Sequence, residues 1–357
     1  GMLEVSEVGN MVGKAEFKAA LPDLRVGLIN AQYDLRNADF PVIIWIAGDD
    51  RLAANALVNR LNEWLDSRFI DTRVFADPTE EEMQRPQLWR LWRSLPPRGR
   101  AAFFVGGLMR AANQRAEGEI GEPEFSGWLR HLSQMQAALV ADGALILKFF
   151  LHTPAKVQKK KLKEAEKHPE LGWQVDHRDW AALDTLGPVL PIAERILRET
   201  SGPGAPWTIV EATDDRYRDL TVARTILAAL TARLSDEATN TSPTIAESAF
   251  GDFDEGANVL SGVDLSQSLD RYEYRKQLAK QQARLRRLSI EARNRGVSTV
   301  LAFEGWDAAG KGGVIRRVTA ALEAGDFRVI PVAAPTEEER RYHYLWRSGE
   351  ICRRRAG

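Results

Sequence analysis

The chain has 357 residues, 44% of them hydrophobic and 28% charged, an ordinary globular balance with room for two domains. Lys+Arg 49 against Asp+Glu 50 leaves a formal charge of -1, so whole-chain charge gives no case for nucleic acid or membrane, and an anionic ligand must be held locally. No apolar run approaches the roughly 18 residues of a spanning helix, Met2–Glu7 is acidic without an apolar leader, and the only cysteine, Cys352, excludes a disulfide framework or thiol metal site; a cytoplasmic protein is expected.

Residues 14–38 carry helical spacing, with Phe17, Leu21, Leu24, Leu28, Ala31 and Leu35 on one stripe. Pro41–Gly48 reads as a buried strand leading into a turn, and Leu57, Leu61, Trp64 and Leu65 mark the helix after it. Ala101–Val105 and Ala144–Phe150 predict further buried strands, Trp207–Ala212 another, and 219–234 a closing helix. Between 155 and 168 lies a basic helix with Lys156, Lys159, Lys160, Lys161 and Lys163, whose ordinary explanation is a solvated face. Strands alternating with helices predict an α/β fold, a parallel sheet covered on both faces. Residues 236–265, rich in Ser, Thr, Asn, Asp and Gly, read as a linker.

Further on, the apolar run Val300–Phe303 precedes Glu304-Gly305-Trp306-Asp307-Ala308-Ala309-Gly310-Lys311-Gly312-Gly313, and helix-like Val314–Val318 follows. Strand, glycine loop and helix form the context in which G-x-x-x-x-G-K, the Walker A or P-loop pattern, becomes a phosphate cradle: backbone N–H groups and the helix N-terminus face the anion, and the lysine adds a mobile charge. The pattern ordinarily ends in Ser or Thr, whose hydroxyl binds Mg²⁺; here Gly312 holds that place. Asp307 is then the nearest candidate metal ligand, since Mg²⁺ takes carboxylate and phosphate oxygens.

Shifted on itself by 257 residues, the chain aligns 14–90 with 271–347 without a gap, at 18 identities in 77 positions. Pro78–Glu82 meets Pro335–Glu339, and Leu88-Trp89-Arg90 meets Leu345-Trp346-Arg347. A gapless register through loops implies a duplicated domain. Carried back to the first copy, the loop keeps Gly48 and Asp50, but Ala53 stands for Gly310, Ala54 for Lys311, and Asn55 and Ala56 for the next two glycines. Without close backbone approach or the lysine charge, this copy is expected not to bind a nucleoside triphosphate in the P-loop manner.

These residues resemble the polyphosphate kinase 2 family in its two-domain form. The second copy carries the resemblance in Gly305-x-Asp307-x-Ala309-Gly310-Lys311-Gly312 and Pro335-Thr336-x-Glu338-Glu339. The first copy carries it in Trp92-Arg93-x-Leu95-Pro96, Arg115-x-Glu117-Gly118, Leu147–His152, Ala205-Pro206-Trp207 and Val222-Ala223-Arg224. The resemblance implies a P-loop kinase-like sheet and Mg²⁺-dependent phosphoryl transfer between inorganic polyphosphate and a nucleotide, AMP to ADP in the two-domain form. It further implies that Gly305, Ala309, Gly310, Lys311, Gly312 and Gly313 hold the nucleotide phosphate, and that Asp307 binds the metal and helps orient the acceptor. The family's D-R-S aspartate is replaced in the first copy by Phe104-Val105-Gly106, a second loss. Its lid stays basic at Lys156, Lys159, Lys160, Lys161 and Lys163, so polyanion contact there is a further expectation.

The expected organisation is a degenerate first domain at 14–235, a linker at 236–265 and the start of a second domain at 266–347. Residues 348–357 match nothing in the first copy as they stand. Back-translated with GC-rich codons and given one extra base they read F-W-R-D-L-P-P-P-G-R, agreeing with Leu91–Arg100 at seven of ten positions. A single-base deletion that truncates the second copy is therefore expected, and with it a chain that is weakly active or inactive. Two rivals are a non-catalytic polyphosphate-binding or assembly module and an ATP-dependent small-molecule kinase, against which Gly312 counts. A homo-oligomer is compatible with the sequence.

Overall fold

The computed structural model describes residues 1–168, 172–238, 266–297, 299–306 and 308–332. Its strands are β1 Val42–Gly48, β2 Ile70–Phe75, β3 Ala101–Gly106, β4 Leu145–His152 and β5 Trp207–Glu211. The helices of the first half are α1 Met2–Val5, α2 Lys14–Leu35, α3 Arg51–Trp64, α4 Glu80–Met83, α5 Trp89–Arg93, α6 Leu108–Ala116, α7 Glu122–Ala141, α8 Ala155–Lys167, α9 His177–Asp184, α10 Leu186–Glu199 and α11 Asp215–Ala238. Two helices follow, α12 Arg271–Asn294 and α13 Lys311–Thr319.

All five strands run parallel in the order β2-β3-β1-β4-β5. β1 lies in the middle, with Ile44 beside Phe103 on one neighbour and Leu147 on the other. A strand buried on both faces needs apolar residues at every position, and β1 supplies Val-Ile-Ile-Trp-Ile-Ala. Alternate side chains feed two cores. Val42, Ile44 and Ile46 pack with Leu28, Leu57, Leu61, Phe103 and Ile226 from α2, α3, β3 and α11. Ile43, Trp45 and Ala47 pack with Phe104, Leu108, Phe125, Leu132 and Ile196 from β3, α6, α7 and α10. The α/β sheet flanked by helices follows the sequence expectation.

The periodicity gives no sign of β2. Ile-Asp-Thr-Arg-Val-Phe has polar residues in its middle, which an edge strand with one solvated side tolerates. α11 extends through Ala238, so helix covers the first residues read as linker; 239–265 lie outside the described residues.

The strand expected over Val300–Phe303 does not form. Residues 299–306 make no ladder, and Val300, Leu301, Phe303 and Trp306 are exposed. The repeat supplies the reason. Adding 257 carries β1 to 299–305, β2 to 327–332 and β3 to 358–363. β3 stands between β1 and β2 in the first copy's sheet, so the second copy's two apolar segments are not expected to be neighbours. Extended backbone becomes a strand only when its N–H and C=O groups find a partner ladder.

What does form in the second copy is a helical pair resting on the first. Asp270 caps α12 by accepting from the Tyr272 and Glu273 amides at 2.8 and 3.1 Å. Gln282 and Arg286 of α12 donate to the Arg317 and Ala321 carbonyls at 2.8 and 3.1 Å, tying it to α13 and its C-terminal turn. α13 in turn packs against α3 and the 3-10 turn Ser67–Phe69 of the first copy.

Candidate phosphate-binding site

The glycine loop runs into α13 through a left-handed Gly310, φ +83°, which is the N-cap. Glycine adopts that conformation without the Cβ penalty. Ala308, two residues earlier, is also left-handed, at φ +60°, a conformation that costs an alanine about 1–2 kcal/mol. Strain of this kind is commonly stored where a loop serves a ligand. The Lys311 amine donates to the carbonyls of Gly305 and Trp306, the latter at 2.6 Å, so the charge sits on the loop it would serve. Ala309 donates back to the Trp306 carbonyl at 3.2 Å and Val314 to Gly310 at 3.1 Å. Gly305, Ala309, Gly310, Lys311, Gly312 and Gly313 are thus gathered in one exposed turn and helix start. Asp307 lies outside the described residues.

At the equivalent place the first copy is built differently. α3 begins at Arg51, the counterpart of Ala308, because Ala53 continues a right-handed helix where Gly310 breaks away. Asp50 becomes its N-cap and accepts from the Ala53 amide at 3.1 Å, so a carboxylate of the chain occupies the helix N-terminus that an anion would use. Gly48 is retained for packing: the Leu151 carbonyl of β4 lies where a Cβ would go.

Asp49 is buried at the end of β1 and accepts from the Thr153 amide at 3.0 Å, from Gln158 at 3.1 Å, and bonds His152 Nδ1. His152 Nε2 meets Glu7 at 2.9 Å. Burial works against the charged ring, but the Asp49 hydrogen bond and charge, then Glu7, outweigh it and raise the pKa to about 8. Glu7 belongs to an N-terminal strap fastened along the same edge: Gly9 and Asn10 donate to Glu211 at 3.1 and 2.9 Å, and Val12 to Asp214 at 3.3 Å. From the other side Arg51 forms a fork to Asp179 of α9 at 2.7 Å. In an open parallel sheet the ligand crevice lies beyond the carboxyl ends of the strands; here carboxylates and the strap fill it.

Of the basic helix, Lys156, Lys159, Lys160 and Lys163 are exposed on α8 and, with Glu164 and Lys167, line an open groove of about 400 Å³. Lys161 faces inward instead, donating to the Ala212 carbonyl at 3.2 Å and pairing with Asp215 at 3.3 Å.

Sequence reasoning missed the Glu7–His152–Asp49 chain, since no spacing joins residues 145 and 103 positions apart. It also missed Lys148, fully buried on β4, donating to Gln136 and to the Thr200 carbonyl (2.7 Å) with its amine 4.7 Å from the Trp207 ring centre. Among the described residues no three His, Cys, Asp or Glu side chains gather as a metal cage. A magnesium ion held by one or two carboxylates together with phosphate oxygens and water needs none.

The family described as "Polyphosphate kinase 2 (PPK2)" matches residues 11–238 and 268–352, one segment in each copy. A polyphosphate:AMP phosphotransferase of Pseudomonas aeruginosa is 41% identical over 348 residues, covering 97% of this chain and 70% of that protein. One from Pseudomonas syringae is 36% identical over 349 residues, with 97% and 70% covered. Among solved structures, a putative polyphosphate kinase 2 from Pseudomonas aeruginosa aligns at TM-score 0.58 and 39% identity, over 97% of this chain and 68% of that one. Polyphosphate kinase 2 from Arthrobacter aurescens aligns at TM-score 0.60 and 22% identity over 63% and 82%, a likeness of fold. With both copies matched by the family and the parallel sheet shared with its solved structures, this chain belongs to the polyphosphate kinase 2 family.

Proposed function

We propose that the chain serves Mg²⁺-dependent phosphoryl transfer between inorganic polyphosphate and a nucleotide, AMP to ADP, with the loop at 305–313 as the nucleotide phosphate site. The observation that carries this is the loop itself: a left-handed Gly310 opening α13 with the Lys311 amine held on the loop carbonyls. The names of the Pseudomonas relatives supply the substrates. Phosphoryl transfer asks a protein chiefly to position the reactants and neutralise the equatorial oxygens. Lys311 and the amides of Gly310, Gly312 and Gly313 would hold the transferred or accepting phosphate. Asp307 would hold the metal, which supplies charge neutralisation when bound, and would orient the acceptor. The first copy has no P-loop of its own, since Asp50 caps its helix and Asp49 engages His152.

These 357 residues alone are weakly active or inactive, because the segment leading into the loop has no ladder to fix it. The test compares this chain with a form whose second copy is extended through the counterparts of 101–235, each given AMP, polyphosphate and Mg²⁺. ADP formation by the extended form and little by this chain is expected. A rate of order 1 to 10³ per second from this chain would refute its inactivity, and failure of both would refute the transferase reading.

A second reading, a polyphosphate-binding or assembly module, rests on the α8 groove, where Lys156, Lys159, Lys160 and Lys163 stand exposed. Salt-sensitive polyphosphate binding, lost on neutralising Lys159 and Lys160, would favour it; unchanged binding would leave these lysines a solvated face.

A further inference from the structure

The first copy reaches the second copy's loop at Gly312. A Cβ built on Gly312 would lie 3.6 Å from Arg68 Nη2 and 3.8 Å from its Cζ. Gly312 is the position where the ordinary P-loop carries its Ser or Thr hydroxyl. A guanidinium from the other copy therefore stands beside the space that the missing hydroxyl would take.

Arg68 is held there by a chain of contacts. Its Nε and Nη2 donate to Asp66 at 2.9 and 2.6 Å. Burial alone would raise the Asp66 carboxyl, but Arg68 outweighs it, with Arg316 adding charge from the second copy, and the carboxyl lies below its ordinary range. Buried Gln32 fixes the backbone of Asp66 from both sides, accepting from its amide at 2.6 Å and donating to its carbonyl at 2.9 Å. The Arg68 side chain nevertheless keeps 36% of its surface open, so a ligand at the loop can reach it.

This trio is not part of the repeat. The positions 257 residues on are Ser289, Glu323 and Gly325, so the second copy keeps a carboxylate but has neither the arginine nor the glutamine that fixes it. Lys311 adds a second cation to the same helix start, one residue before the Gly312 that Arg68 faces. A planar fork suits phosphate oxygens, and a fork already held in place loses little freedom on binding.

We propose that Arg68 of the first copy is a phosphate-contacting residue of the second copy's loop, taking the terminal phosphoryl oxygens of a nucleotide or polyphosphate anion. The degenerate copy would then supply to the site a charge that the loop lacks where Gly312 replaces a hydroxyl residue. The proposal rests on 305–313 being the phosphate site.

Inorganic tripolyphosphate titrated calorimetrically into this chain tests it. To remove the α8 groove as a second site, every protein carries Lys159→Gln, Lys160→Gln and Lys163→Gln. Binding lost in Lys311→Ala, weakened roughly tenfold in Arg68→Ala, partly recovered in Arg68→Lys and unchanged in the surface control Arg98→Ala is the expected pattern. The salt dependence of Kd should also flatten in Arg68→Ala, which loss of packing alone would not cause. Binding lost in Lys311→Ala but equal in Arg68→Ala and its parent would overturn the role of Arg68 and leave the loop reading standing. No binding by the parent would overturn both.

Discussion

Lys148 and His152 stand four residues apart on β4, buried, and titrate in opposite senses. Burial lowers the Lys148 pKa to about 7. Between pH 7 and its unfolded value near 10.5 the unfolded chain holds the proton and the folded chain does not, so this group makes stability rise with pH. His152, raised to about 8 from 6.5, contributes stability that is complete below pH 6.5 and lost as pH rises through 8. Because the two overlap, the difference between wild type and variant at each pH is the useful readout. Urea unfolding of His152→Asn is expected to show a deficit on the order of 1 kcal/mol at pH 6 that shrinks by pH 9. Lys148→Met should fare best relative to wild type at acid pH, where the wild type buries a cation. A deficit for His152→Asn that does not change with pH would refute the charged His152–Asp49 pair.

The same loop and helix start are built in two ways according to a few residues ahead of the helix. Gly310 breaks out of the helical region and leaves an open turn, whereas Ala53 lets α3 start three residues earlier under the Asp50 cap. Restoring Ala53→Gly and Ala54→Lys to the first copy should therefore not create a nucleotide site, because Asp50 still fills the helix N-terminus. It should instead cost about 1 kcal/mol by placing glycine inside a helix. Nucleotide binding gained by that double variant, read against Lys311→Ala to silence the other loop, would sink this account. Gly48→Ala drives a methyl into the Leu151 carbonyl across β1 and β4, and a loss of about 1–3 kcal/mol in urea unfolding is expected.

At the scale of the molecule, the described part of the second copy is held by α12 and by docking on the first copy. Beyond the α13 contacts, a Cβ on Gly325 would meet Val74 Cγ2 at 3.0 Å, and Arg328 stands 3.9 Å from Asp71. Gly325→Val should pry this contact open. Hydrogen exchange in α13 is expected to speed by about tenfold while β1, β3 and β4 keep their protection, since opening is local to the undocked element. Equal acceleration in β1 would mean that the first copy depends on the second for its own stability.

The sequence alone determined the buried β1, β3 and β4 and the basic face of α8, and it gave grounds to expect the duplication and the loss of the phosphate cradle from the first copy. Each is a local signal: an apolar run, a charge period, a glycine or lysine present or missing at a fixed offset. It could not give the edge strand β2, whose Asp71, Thr72 and Arg73 break the apolar pattern and are accommodated because one side of the strand faces solvent. Nor could it tell that Val300–Phe303, apolar enough to be a strand, would stay unpaired, because a ladder depends on neighbours set by topology. The Glu7–His152–Asp49 chain and the approach of Arg68 to Gly312 were decided by tertiary structure in the same way. Such contacts join residues far apart in the chain, and only the packing of β1 on β4 and of α13 on α3 brings them within reach.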